Sequence, residues 1–182
     1  MGILTFVYPG QYEDLKEEME QVKDTICANE TLWCNFTSHY PDKIISKLID
    51  QSVLSHIFFN TNVNEKVTTF TFFRPSEEKI CRTSEDMVYP RLAKDRRGIF
   101  RFIVNRPKGH EGFKQVVQIT KCETAESTCG DGKIAGLESS SCKQEFLDHK
   151  LLALNDNGTD LIVDSFSFPS GCSCYLSESQ EL

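Results

Sequence analysis

A chain of 182 residues has room for one ordinary domain, or for a compact domain with an appendage. Its net charge of −7 argues against nucleic acid as a partner, and no stretch approaches the ~20 apolar residues of a membrane-spanning helix. Eight cysteines and three Asn-X-Thr sequons, at Asn29, Asn35 and Asn157, argue against a reducing cytosol and point to a secreted, extracellular protein.

Met1 to Val7 holds a short apolar run with no basic start and no small-residue cleavage site. A secretory signal peptide is therefore expected to have been removed, or to be missing from this sequence. Residues 11–26 place Leu15, Met19, Val22 and Ile26 at three- and four-residue intervals among charges, which predicts a helix. Cys27 and Cys34 follow with two sequons in or beside their short loop, and are expected to pair with each other. Pro41 opens a second predicted helix, with Asp42 in its first turn, where a negative charge suits the helix dipole. Ile44, Ile45, Leu48, Ile49, Val53 and Ile57 give that helix one broad apolar face, which must cover something.

Val67 to Phe73 alternates Thr with apolar residues and reads as a strand or an extended linker. Arg74-Pro75 and the charged run behind it mark a boundary between a first part, 1–74, and a second, 75–182. The second part reads as strands. Ile99–Asn105 and Phe113–Cys122 flank a Pro/Gly turn at 106–112 and are expected to form one hairpin. Phe146–Leu154 and Leu161–Phe168 flank 155–160, whose Asn157-Gly158 favours a tight turn, and are expected to form another. Cys129 to Cys142 is rich in glycine and serine and reads as a loop, while 142–149 fits helix or strand equally by pattern.

Six of the eight cysteines lie between Cys81 and Cys174. Cys172 and Cys174 leave an extended segment on the same face about 7 Å apart, too far for easy bonding to each other. Cys122 and Cys129 offer a second closely spaced pair. Bonds Cys122–Cys172 and Cys129–Cys174 close a small ring, and a Cys81–Cys142 bond through it makes a cystine knot. Order and spacing select this arrangement from the 105 pairings that eight cysteines allow. Two-stranded ribbons lack a deep apolar core, so the disulfides must compensate.

Arg91 to Lys108 holds seven basic residues and one acid, against a first part with a balance of −4. A basic segment in an acidic protein reads as a surface facing a negative partner, or as a solvated strand edge. The histidines (His39, His56, His110, His149) sit in different segments, and a Cys–His nucleophile needs a free thiol. No CxxC or His pair has zinc-ligand spacing. No enzyme, metal site or cofactor is expected.

Further detail resembles a known family. Cys81-Arg82 with Val88-Tyr89-Pro90, Phe102-Ile103-Val104-Asn105, and Gln115 to Ile119 running into Cys122 carry the likeness. It continues through Cys142-Lys143-Gln144 and Asp164-Ser165-Phe166 to Pro169-Ser170-Gly171-Cys172-Ser173-Cys174-Tyr175-Leu176. These resemble the neurotrophin-like cystine-knot ligands, and most closely the Spätzle family of insect Toll-receptor ligands, over roughly residues 77–176. The resemblance implies an all-β knot domain of two long hairpins behind a small, mainly helical pro-domain. It implies an inactive secreted precursor, a serine protease that cuts between the two parts, and a dimer that binds the leucine-rich ectodomain of a Toll receptor.

By the same resemblance Phe100 takes the place of an exposed loop aromatic, making Ile99, Phe100, Arg96 and Arg97 candidate receptor contacts. Arg74 is the expected cleavage position, with Lys66 as runner-up because Pro75 makes a poor site for a trypsin-like protease. Where the family often carries a cysteine just before the closing Cys-X-Cys, this chain has Gly171. With all eight cysteines in four internal pairs, a non-covalent homodimer is expected, or a monomer until the receptor is engaged. The rival reading is a clottable structural protein of the coagulogen type, which carries the same knot with many more cysteines.

Overall fold

The computed structural model describes residues 32–35, 37, 40–62, 79–105, 113–135 and 139–176. The expected helix at 11–26, Cys27, Asn29, the segment around Lys66 and Arg74, and the 106–112 turn lie outside them. Contacts divide the chain into two compact units. The first takes Met1–Asn64, Tyr89–Gln115 and His149–Phe166; the second takes Glu65–Val88, Val116–Asp148 and Ser167–Leu182. The boundary expected at residues 74 and 75 lies outside the described residues.

In the first unit, helix α1 spans Asp42–Gln51 behind Pro41. Ile45 and Ile49 lie four apart on one face, and both are fully buried. The single helix expected through Ile57 is instead two. Ser52 adopts extended backbone (φ −95°, ψ 120°), and α2 spans Val53–Asn62. Serine hydroxyls compete with the helical ladder at this break. Ser52 Oγ accepts from the Ser55 N–H at 3.4 Å, and the buried Ser55 hydroxyl reaches the Ile49 and Ser52 carbonyls at 2.8 and 2.7 Å. No described helix is long and apolar enough to cross a membrane.

Three short strands complete this layer in the order β1 (Trp33–Cys34), β3 (Leu92–Lys94), β4 (Phe100–Phe102), all antiparallel. Leu92 stands opposite Cys34 on one side and Phe102 on the other. One core gathers Tyr40, Ile45, Ile49 and Phe59 with Leu92, Phe102, Val104, Leu152, Leu154 and Leu161. The apolar helical face thus covers the strand layer, as so wide a stripe requires.

A second, four-stranded sheet has the order β2 (Thr83–Val88), β5 (Val117–Cys122), β7 (Leu161–Leu176), β6 (Ser140–Leu154). The expected hairpin at 155–160 is present as β6–β7. The Asn155 N–H donates to the Asp160 carbonyl at 3.0 Å, and Gly158 takes φ +66°, a conformation that favours glycine. Asn157 is exposed at the tip.

The other expected hairpin does not form. β4 pairs with β3, whereas β5 pairs antiparallel with β2 from Thr83↔Cys122 to Val88↔Val117, and parallel with β7 at Thr120↔Ser170. The backbone beyond β4 turns to β6 instead: Ile103 bridges Ala153, and the Val104 N–H donates to the Leu152 carbonyl at 2.9 Å. β2 gave no strand signal because Ser84 to Met87 are all exposed, so its sequence carries no alternation. In the second unit the expected loop from Cys129 begins as a 3-10 turn, Cys129–Gly132. β6 starts at Ser140, so residues 142–149 are strand.

Candidate functional site

Three disulfides tie the second unit: Cys81–Cys142, Cys122–Cys172 and Cys129–Cys174, with Cα separations of 5.7, 5.1 and 5.9 Å. The last two close a ring through 122–129 and 172–174. Cys81 Sγ lies 3.9 Å from Cys129 Sγ, against that ring. Cys81, Cys129 and Cys142 are buried with their sulfurs within 4.8 Å of one another, a grouping that could ligate a metal if reduced. As disulfides they offer no thiolate, the form that binds zinc. Cys34 is also disulfide-bonded; Cys27, its expected partner, lies outside the described residues.

Gln144 braces the ring. Its Oε1 accepts from the Cys122 N–H at 2.9 Å, and its Nε2 donates to the Thr120 and Gly171 carbonyls at 2.9 and 2.7 Å. One carboxamide thereby joins the two strands that carry the Cys122–Cys172 bond. A side chain at Gly171 would meet Glu145 Oε2 at 2.9 Å, so any larger residue there must push that carboxylate aside.

In the first unit, the β3–β4 turn runs from Asp95 to Ile99 and is built around one carboxylate. Asp95 Oδ1 accepts from the Arg97 and Ile99 N–H groups at 2.9 and 3.0 Å. Its Oδ2 accepts from Arg97 Nε and Nη2 at 3.1 and 2.9 Å, and from Arg101 Nε at 3.0 Å. Burial opposes ionisation of Asp95, but hydrogen bonds from Ile99, Arg97 and Arg101 outweigh it and hold the carboxyl below its ordinary value. Gly98 supplies the φ of +78° that closes the turn.

Arg101 is buried among carboxylates. Besides Asp95 it meets Asp164 Oδ2 at 3.3 Å and Asp156 Oδ1, from the β6–β7 tip, at 2.7 Å. An always-charged planar fork suits such a place, since each face of the guanidinium edge finds an acceptor. Neither reading of the basic Arg91–Lys108 segment, a surface facing a negative partner or a solvated strand edge, fits Arg101, because it is buried. Arg97 is turned onto Asp95, Arg91 lies 4.6 Å over the Tyr40 ring, and Lys94 lies 4.9 Å over the Phe100 ring.

Of the candidate contacts, Ile99 (41% exposed), Arg96 and Arg97 stand out on the turn. Phe100 does not: it is half-buried and packed on the apolar core, as an ordinary strand residue facing inward at that register.

Tyr40 fastens the helical segment to this layer. Its hydroxyl accepts from the Asn105 N–H at 2.8 Å and donates to the Ile103 carbonyl at 2.6 Å, while its ring meets Phe102 edge-on at 6.0 Å. Burial pushes the phenol far above its ordinary value, although Asn105 and Arg91 pull the other way. Asn105 continues the network to the Pro90 carbonyl and the Gln115 N–H, both at 2.6 Å. The Gln115 carboxamide then pairs with both backbone groups of Leu152, accepting at 2.7 Å and donating at 2.8 Å, as a peptide unit of a neighbouring strand would. The bonding roles of Tyr40, Asp95, Arg101, Asn105, Gln115 and Gln144 did not follow from the sequence, although Asn105, Gln115 and Gln144 lie in the segments that carry the family resemblance. The available signal was a set of polar residues abutting apolar runs, as Asn105 follows Phe102-Ile103-Val104.

Two sequon asparagines, Asn35 and Asn157, are described residues. Asn35 is exposed, and its Oδ1 accepts from the Tyr89 N–H at 3.1 Å, which leaves Nδ2, the atom that carries an N-glycan.

A family model described as Spaetzle matches residues 78–176, just over half of the chain. The chain is similar to Protein spaetzle 5 of Drosophila melanogaster, 32% identical over 103 residues that make up 56% of this chain and 25% of that protein. It is also similar to Protein spaetzle of the same organism, 26% identical over 147 residues, 79% of this chain and 43% of that protein. It therefore spans less than half the length of either curated relative. Among solved structures, the crystal structure of the spatzle cystine knot is 29% identical, with a TM-score of 0.34, covering 57% of this chain and 99% of that one.

Proposed function

The chain belongs to the Spätzle family, and on that premise we propose that it is a secreted pro-cytokine whose knot ligand engages the leucine-rich ectodomain of a Toll receptor. The observation that carries this reading is the family match itself, because residues 78–176 hold all six knot cysteines and the whole Asp95–Ile99 turn. A serine protease activates it by cutting between the first part and the knot domain, at Arg74 or, as runner-up, at Lys66. The ligand is a non-covalent homodimer, since Gly171 leaves no cysteine for a bond between copies. N-glycans occupy Asn29, Asn35 and Asn157, and the turn residues Ile99, Arg96 and Arg97 meet the receptor. No catalytic role is assigned, and no observation favours the clottable reading.

Cleavage alone does not strip the ligand. Tyr40, Ile45, Ile49 and Phe59 share one core with Leu92, Phe102, Val104 and Leu152, and a cut near residue 70 breaks none of those contacts. The first part masks the ligand through this burial; the cut makes its hold intermolecular rather than tethered, so the receptor can displace it.

The test is binding of intact and cleaved chain to a panel of purified Toll ectodomains, with N-terminal sequencing of the cleaved product. Cleaved chain is expected to bind at least one ectodomain more tightly than intact chain. Equal affinity would remove the masking role, and binding to none would remove the receptor reading. On non-reducing electrophoresis the secreted protein is expected to run as a monomer; a dimer that collapses only with reductant would remove the non-covalent assignment.

A further inference from the structure

The β3–β4 turn and the β6–β7 tip come from distant parts of the sequence and meet on one guanidinium. Arg101 bonds Asp95, which shapes the turn, and Asp156, which belongs to the tip. The two outer charges at this junction are each only half used. The Arg97 side chain is 58% exposed although it pairs with Asp95, and the Asp156 side chain is 59% exposed although it pairs with Arg101. Arg96 is exposed on the same turn, and Asp160 is exposed on the same tip. The junction therefore presents a basic rim and an acidic rim, with the apolar side chain of Ile99 exposed on the turn beside Gly98.

We propose that turn and tip form one charge-split docking face, with Arg101 as its positioning residue, for a protein partner that sets an acidic patch beside a basic one. A partner of a single charge sign, such as a sulfated polysaccharide or an anionic bilayer, is drawn to one rim and repelled by the other. A protein surface can match both rims. The shared clamp matters because it fixes the spacing of the rims before the partner arrives, which lowers the ordering cost of binding. This proposal deepens the receptor-turn reading above and rests on it for the identity of the partner.

The test has a partner-free arm in the full chain and a binding arm run on the glycosylated chain and on Asn157→Gln; binding by Asn157→Gln alone would overturn the face for the secreted protein. In the first, Asp156→Lys sets a like charge against Arg101. The Arg97 and Ile99 amides, which donate to Asp95, are expected to exchange hydrogen about threefold faster or more. Faster exchange confined to residues 155–160 would overturn the shared clamp. In the second, Arg96→Glu and Asp160→Lys are each expected to weaken binding to the selected Toll ectodomain about fivefold or more, with melting temperature and disulfide map unchanged. Weakening by Arg96→Glu alone overturns the two-rim face and leaves the receptor turn standing. Weakening by neither removes both readings. If no ectodomain binds, the receptor reading fails and the exchange arm still decides the clamp. Tighter binding of Asp160→Lys to a sulfated polysaccharide, with no loss toward the ectodomain, would also overturn the face.

Discussion

The two compact units of this chain are held by different means. The first buries Tyr40, Ile45, Ile49, Leu92, Phe102, Val104, Leu152 and Leu154 around a polar network whose members all find partners. Among its described residues the second buries few large apolar side chains, chiefly Val88, Val117, Ile119 and Phe168, and it carries all three knot disulfides. Covalent bonds stand where apolar burial runs short, which is the usual remedy for a small core. The exposed turn proposed to meet a receptor is carried by the unit that stands on packing.

The strongest way to break the contrast is to open the knot. Reduction of all three bonds is expected to unfold the second unit outright. Loss of Cys81–Cys142 alone, by paired serine substitution, should cost about 4 kcal/mol for a loop of this length. Denaturant unfolding monitored by near-UV and far-UV dichroism would measure it. Phe102→Ala should cost about 3–5 kcal/mol, since it empties the centre of the first core, and should leave the disulfide map intact.

Smaller changes sharpen the contrast. Tyr40→Phe strands the buried Asn105 N–H and should cost about 1–3 kcal/mol, read in the same unfolding experiment. Asp95 and Tyr40 give opposite pH signatures. Asp95 is held low, so its contribution is present above the ordinary carboxylate range and is lost as pH falls through that range. Tyr40 is pushed up, so its contribution is present below the ordinary phenol value of about 10 and is lost as pH rises beyond it. Melting curves across pH should flatten at the acid end in Asp95→Asn and at the alkaline end in Tyr40→Phe. Asn157→Gln, at an exposed tip, should change stability by no more than about 0.5 kcal/mol in unglycosylated protein.

The legible parts of the sequence were those where local chemistry and geometry coincide. The β6–β7 hairpin announced itself through Asn157-Gly158 between two apolar runs, and the knot through paired cysteine spacings. The helix after Pro41 followed from its isoleucine stripe. Its break at Ser52 did not, because the competing bonds come from Ser52 and Ser55 side chains that a helix also tolerates. The β4–β5 hairpin was misread because proximity in sequence suggested pairing, while Gln115 and Asn105 divert the backbone toward Leu152. β2 was missed because an exposed strand has no buried alternation to display. The Asp95–Arg101 clamp was invisible for a different reason: a basic run looks like surface until the three carboxylates that meet one of its arginines are brought together from residues 95, 156 and 164.

Packing holds one unit and covalent topology the other. Hydrogen exchange of the intact chain, read residue by residue before and after reductant, tests it most directly. Amides of β2 and β5 are expected to lose protection on reduction while the Leu152, Val104 and Asn105 amides keep theirs. Persistent protection in β2 and β5 after full reduction, or simultaneous loss in both units, would contradict it.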